Sequence, residues 1–131
     1  MTMQIEHYEN KLAYEIDAAD LFDALNKGEQ IVVVDARSAV GYEQEHIPGA
    51  ISFPHRTMDA ATTAHLDKGI LYVTYCDGIG CNASTKGALK LAQLGFRVKE
   101  LIGGLDWWKR DQYTTIGSAG AERKLGIACF C

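Results

Sequence analysis

The chain has 131 residues, enough for one domain with its own core, and a formal net charge of −4 at neutral pH. That mild acidity excludes the basic face on which non-specific nucleic-acid binding depends, and no apolar run reaches the length of about 18 residues that a membrane span needs. The first residues, Met1-Thr2-Met3-Gln4-Ile5-Glu6, carry neither a basic nor an apolar leader segment, so the expected location is the cytoplasm, where the four cysteines are expected as thiols rather than structural disulfides.

Residues 1–12 are polar, lack a firm periodic signal and are read as an N-terminal extension. Ala13-Tyr14-Glu15-Ile16 predicts a short edge strand. Asp17 is placed to cap a helix over 18–26, with Asp20 in the acidic first turn, Leu21, Phe22 and Leu25 on one face, and Gly28 as the stop. Ile31-Val32-Val33-Val34 is a continuous β-branched run, the pattern of a strand buried on both faces of a parallel sheet, and it ends in Asp35-Ala36-Arg37. One helical turn is expected over 39–44. After the Pro48-Gly49 turn a short strand follows over 50–53, then weak helical composition over 58–65.

Leu71-Tyr72-Val73-Thr74-Tyr75 predicts a second buried strand, which breaks at Cys76 into a loop with two glycines before a helical pattern that Gly95 closes. Val98 to Ile102 reads as a last strand. Leu105 to Arg110 reads as a short helix with one of Trp107 and Trp108 packed inward, and a helical turn is expected over 121–125. Alternating strands and helices imply a three-layer α/β domain on a mostly parallel sheet, whose ligands sit beyond the carboxyl ends of the strands. Cys76 and Asp35 both lie at such ends.

A cysteine at a strand end, above a small glycine-containing loop that feeds a helix, is a way to build a nucleophile over an anion cradle. The thiolate is the reactive form, and a free cysteine has a pKa of about 8.5. Lowering it to about 7 takes about 2 kcal/mol, whereas a helix N-terminus contributes about 0.3–1 kcal/mol. Backbone N–H groups from Gly78 through Asn82 are expected to supply the remainder, with Gly78 and Gly80 providing conformations that other residues resist. Asp77 opposes the thiolate. Cys81 has two readings: a second thiol that attacks an oxidised or persulfidated Cys76 and closes a disulfide, or a small residue packed under the loop. Asp35 and Arg37 are expected either to touch substrate or to hold loops together, His46 to order its turn, and His7, His55 and His65 to lie on the surface. Lys86 lends charge to the loop or lies on a solvated face.

Four ordered motifs make the chain resemble the rhodanese (sulfurtransferase) domain family: Asp35-Ala36-Arg37, His46-Ile47-Pro48-Gly49-Ala50-Ile51, the cysteine ending an apolar strand, and Leu94-Gly95-Phe96 with Leu101-Ile102-Gly103-Gly104 and Trp107-Trp108. The resemblance implies a three-layer rhodanese-like domain over 13–113, followed by a tail over 114–131 that carries Cys129-x-Cys131. It further implies that Cys76 accepts a sulfane sulfur, holds it as a persulfide and passes it to a thiol or another nucleophile. Asp77, Gly78, Ile79, Gly80, Cys81 and Asn82 would form the substrate-binding loop. No cofactor or metal is expected, and the expected partners are a sulfur donor and a thiol or protein acceptor, not nucleic acid or membrane.

The loop departs from the family pattern. It is longer by a residue, contains Cys81 and lacks the Arg or Lys that thiosulfate-using members often carry, so thiosulfate is expected to be a poor donor. A non-turnover module that senses redox state or binds a partner through Cys76 and Cys81 is the alternative. A cysteine phosphatase or arsenate reductase would need an arginine closing the loop to grip an oxyanion bidentately, and positions 77–85 have none. A four-cysteine zinc site would consume Cys76 and lacks the paired spacings such sites use.

Overall fold

The β-branched run Ile31–Asp35 (β2) and the strand Leu71–Tyr75 (β4) pair in parallel at the middle of a five-stranded sheet in a computed structural model that describes residues 2–123. Around them stand β1 (Glu15–Ile16), β3 (Ile51–Ser52) and β5 (Arg97–Leu101), in the order β1-β5-β4-β2-β3, every pair parallel. The helices are α1 (Thr2–Tyr14), α2 (Ala18–Asn26), α3 (Ala39–Gln44), α4 (Ala83–Gln93) and α5 (Gly104–Arg110). Among the described residues no helix is long and apolar enough to cross a membrane.

Strand alternation divides the core into two layers. Val33, Val73 and Tyr75 face one side, where they pack with Leu21 of α2, Leu105 and Trp108 of α5, Ile47 and Tyr113. Val34 and Tyr72 face the other, with Leu91 of α4, Met58 and Phe96. The pairing of Asp35 with Tyr75 aligns the carboxyl ends of β2 and β4, so that Ala36 and Cys76 follow side by side, with Arg37 one residue on.

The cap at Asp17 forms as expected, its carboxylate accepting from Asp20 N at 2.8 Å, and Gly28 ends the segment at φ +75°. The expected edge strand is confined to Glu15–Ile16, because Ala13 and Tyr14 finish α1. That helix also replaces the featureless extension expected over 1–12. It has no buried residue: Ile5, Tyr8 and Leu12 share one face at helical spacing but stay exposed. Over 58–65 the structure has turns in place of a helix: Asp59 and Thr62 exchange side-chain to backbone bonds of 2.8 and 2.9 Å. Thr63 adds a bond to the Asp59 carbonyl, and such local bonds compete with helix propagation. A 3-10 turn at His55–Thr57 precedes them.

His46 orders its turn. Its Nδ1 donates to the Tyr42 carbonyl at 2.6 Å, its ring stacks on Tyr42, and its backbone pairs with Ile116. Residues 121–123 are irregular, and the remainder of the helical turn expected over 121–125 lies outside the described residues, as do Cys129 and Cys131.

Glu45, just after α3, binds this returning segment, accepting from Lys109 Nζ at 3.1 Å and Thr115 Oγ1 at 2.6 Å. Burial raises its pKa, but the bonds from Thr115 and Lys109 more than reverse this and hold the carboxyl below the ordinary value. The charged form is therefore favoured by folding. A Glu45→Gln variant should be less stable than wild type at neutral pH. The gap should close as pH falls from the unfolded value of about 4.3 through the lower folded one, because protonation removes the carboxylate's contribution. Urea midpoints across that range check this; a gap independent of pH would assign the loss to packing instead.

Candidate active site

Cys76 is the first residue beyond β4, at the sheet's carboxyl edge, and only 1% exposed. The N-terminus of α5 pins Cys76 and the residue after it. Leu105 N donates to the Cys76 carbonyl at 2.9 Å and Asp106 N to the Asp77 carbonyl at 2.8 Å. So close an approach requires Gly103-Gly104, at φ +79° and +57°, since a Cβ on Gly104 would collide with the Cys76 carbonyl and lie 3.0 Å from Gly78 N. The conformational need for glycine thus falls here and not, as expected, in the loop. Gly78 and Gly80 lie outside the left-handed region, and a Cβ on Gly80 would meet open space.

The loop turns through a bond from Cys81 N to the Gly78 carbonyl at 3.2 Å and enters α4 at Ala83. Cys76 and Cys81 are joined in a disulfide, their Cα atoms 6.2 Å apart. This corrects the expectation that the two residues are free thiols, and of the two readings left open for Cys81 the loop takes the paired one, with Cys81 half-buried. The helix dipole and the loop amides that would favour a thiolate at Cys76 act equally on the leaving sulfur when that disulfide opens.

The loop borders two clefts along its length, and a third reaches it only at Asp77. Cys76, Asp77 and Cys81 face one of about 500 Å³, together with Arg37, His55 and Arg56. Gly78, Ile79, Gly80, Cys81 and Asn82 face another of about 600 Å³, with Glu100 and Ile102 on its far wall. The six residues expected to bind substrate are therefore divided between two surfaces, and Cys81 belongs to both.

Asp35 and Arg37 hold loops together. Asp35 is fully buried and accepts from Arg37 Nε at 3.0 Å, from an Arg37 terminal nitrogen at 2.7 Å and from the Tyr75 hydroxyl at 2.8 Å. Arg37 also donates to the carbonyls of Gly41 and Glu45 and to Asp77 Oδ1 at 2.8 Å. Burial disfavours the guanidinium's charge, but the bonds to Asp35 and Asp77 outweigh it and hold the pKa above the ordinary arginine value. Tyr75 is raised by burial and then by the Asp35 charge, so its hydroxyl stays protonated and donating. Asp77, whose side chain is 74% exposed, is thus turned towards Arg37, and its charge against Cys76 is partly neutralised.

His55 and Arg56 were not expected at the site. The parallel β3 delivers them to the edge where β2 and β4 also end, a consequence the strand order would have given. Lys90 Nζ bonds the His55 carbonyl at 2.7 Å. Burial lowers the His55 pKa, and the positive charges of Lys90, Lys86 and Arg56 lower it further, so the ring is neutral at neutral pH. The cations lining this cleft, Arg37 and Arg56, therefore come from the segments after β2 and β3 rather than from the loop. Glu100 was also missed. It accepts from the hydroxyls of Ser84 at 2.7 Å and Thr85 at 2.6 Å, fastening the first turn of α4 to β5.

Fold and site define a class: a parallel α/β domain with a cysteine at the end of its central strand, facing the N-terminus of the following helix. The rhodanese-like domain model matches residues 17–111, and the chain belongs to that family. Among solved structures, the chain is similar to the BH2092 protein of Bacillus halodurans, with 46% identity, a TM-score of 0.86, and 97% of this chain and 93% of that one covered. It is also similar to a protein from Lactobacillus plantarum (30% identity, TM-score 0.73, 87% and 97% covered). The rhodanese-like domain of the Alr3790 protein of Anabaena sp. follows at 27% identity and TM-score 0.72, with 88% and 92% covered. No curated protein matches the chain.

Proposed function

We propose that the reduced protein is a sulfurtransferase that carries a sulfane sulfur as a persulfide on Cys76 and hands it to a thiol or another nucleophile. The observation that carries this reading is the placement of Cys76, at the end of a strand with neighbours on both sides, on a cationic cleft and before α4. Loop amides and the helix end favour a thiolate and would equally hold the charged outer sulfur of a persulfide. Asp77, Gly78, Ile79, Gly80, Cys81 and Asn82 shape the two openings through which donor and acceptor approach. The protein works in a reducing compartment such as the cytoplasm, since the Cys76–Cys81 bond occupies the nucleophile.

A thiol-borne persulfide is the favoured donor over thiosulfate. The loop contributes no cation, and Arg37 is committed to Asp35, Asp77 and two carbonyls, leaving Arg56 to meet a dianion. Reduced protein treated with glutathione persulfide should gain one sulfur on Cys76, read by peptide mass spectrometry, and Cys76→Ser should gain none at that position. Equal labelling of the variant would overturn the carrier, and a high-affinity thiosulfate:cyanide activity would overturn the choice of donor. The same disulfide supports a second reading, a redox-sensing module without turnover, which a wild type unable to take up sulfur after full reduction would favour.

A further inference from the structure

Cys81 is not the residue that holds the sulfur, yet the fold places it where it can remove one. Its Cα lies 6.2 Å from that of Cys76, inside the range that a disulfide spans without backbone movement. Its N–H is used in the turn to Gly78, which fixes the loop in the conformation that brings the two sulfurs together. We propose that the protein is also a persulfide reductase: Cys81 resolves the Cys76 persulfide and releases its outer sulfur as hydrosulfide. The step rests on the carrier reading above.

The chemistry balances without an oxidant. The Cys81 sulfur attacks Sγ of Cys76, the inner sulfur of the persulfide. The Sγ–Sγ bond forms as the bond between Sγ of Cys76 and the outer sulfur breaks. The outer sulfur leaves with that electron pair and the proton of the Cys81 thiol as HS⁻. Two electrons pass from the pair of cysteines to the sulfane sulfur, and the product is the Cys76–Cys81 disulfide seen in the structure. A dithiol reductant must then restore the thiols, and the geometry selects its point of attack. Cys76 is 1% exposed, whereas Cys81 is half-buried and also faces the second cleft, whose rim carries Ile79 at 82% exposure and Ile102 at 41%. Attack on the more accessible Cys81 makes Cys76 the leaving thiolate, since access decides which sulfur is attacked. The donor would then be served on one side of the loop and the reductant on the other. The net reaction converts a persulfide and a dithiol into a thiol, hydrosulfide and a disulfide.

A single-turnover experiment tests the step. Fully reduced protein is loaded with one equivalent of glutathione persulfide without oxygen, desalted, and followed by intact-protein mass spectrometry together with hydrosulfide detection. Wild type should pass from the species bearing one extra sulfur to the one lacking two hydrogens, with one hydrosulfide per disulfide. Cys81→Ser should keep its extra sulfur and lose the release, and Cys81→Ala should match it, which separates the missing thiol from any effect of the serine on the loop. Wild type that retains its sulfur as long as Cys81→Ser, or releases hydrosulfide without forming the disulfide, overturns the reductase step and leaves the carrier standing. Failure of both Cys81 variants and wild type to take up any sulfur overturns the carrier and the reductase together.

Discussion

Gly104→Ala should cost at least about 2 kcal/mol of stability, since a left-handed non-glycine residue alone costs about 1–3 kcal/mol and the added methyl also collides with the Cys76 carbonyl. Relief requires α5 to move away from the strand end, which would break the bonds from Leu105 N to Cys76 and from Asp106 N to Asp77. The variant should therefore lose persulfide formation at Cys76 along with its urea midpoint. Gly80→Ala is the control. Its Cβ points into open space and its backbone is not left-handed, so its stability should be unchanged or raised by up to about 1 kcal/mol. Equal behaviour of the two variants would refute the account of how α5 fixes Cys76.

Asp35→Ala should be more damaging still, at about 3–5 kcal/mol, the usual effect of removing one partner of a buried ion pair. The Arg37 side chain is 11% exposed and would keep its charge with a single carboxylate, the solvent-facing Asp77, in reach. The buried Tyr75 hydroxyl, which accepts from Ile47 N at 3.1 Å, would lose the acceptor of its own proton. Because most of the loss comes from the stranded guanidinium, the double variant Asp35→Ala/Arg37→Met should be more stable than Asp35→Ala alone. Chemical denaturation of the three proteins decides the matter; a double variant that is the weakest of the set would contradict it.

Much of this architecture was legible in the chain because it is written in local patterns. The β-branched run of β2, the Asp17 cap, the glycine stops and the break at Cys76 each follow from one residue type in one place. What escaped lacked such a signature. The helix α1 buries nothing, and its short stripe of Ile5, Tyr8 and Leu12 does not stand out among the polar residues around it. The turns over 58–65 carry helix-compatible alanines, but their threonines bond the backbone locally. At the site, the spacing of Cys76 and Cys81 allowed either a disulfide or a packed residue, and only the folded loop decides between them. His55 and Arg56 lie far from Cys76 in sequence and reach it through the parallel order of β3, β2 and β4. Asp77 looked like an unopposed acid because its partner, Arg37, is 40 residues away.

The commitment of Arg37 has a consequence for reading related sequences. Its guanidinium joins the end of β2, the middle and the C-terminal cap of α3 and the start of the loop, and none of these bonds involves a sulfur atom. A chain that kept Asp35-Ala36-Arg37 but had lost its cysteine would retain every acceptor except any that changed with the loop. The motif is thus a signature of architecture and a poor guide to turnover. Genome surveys that sort such domains into catalysts and scaffolds should score the segment between β4 and α4, where the proposed sulfur carrier sits.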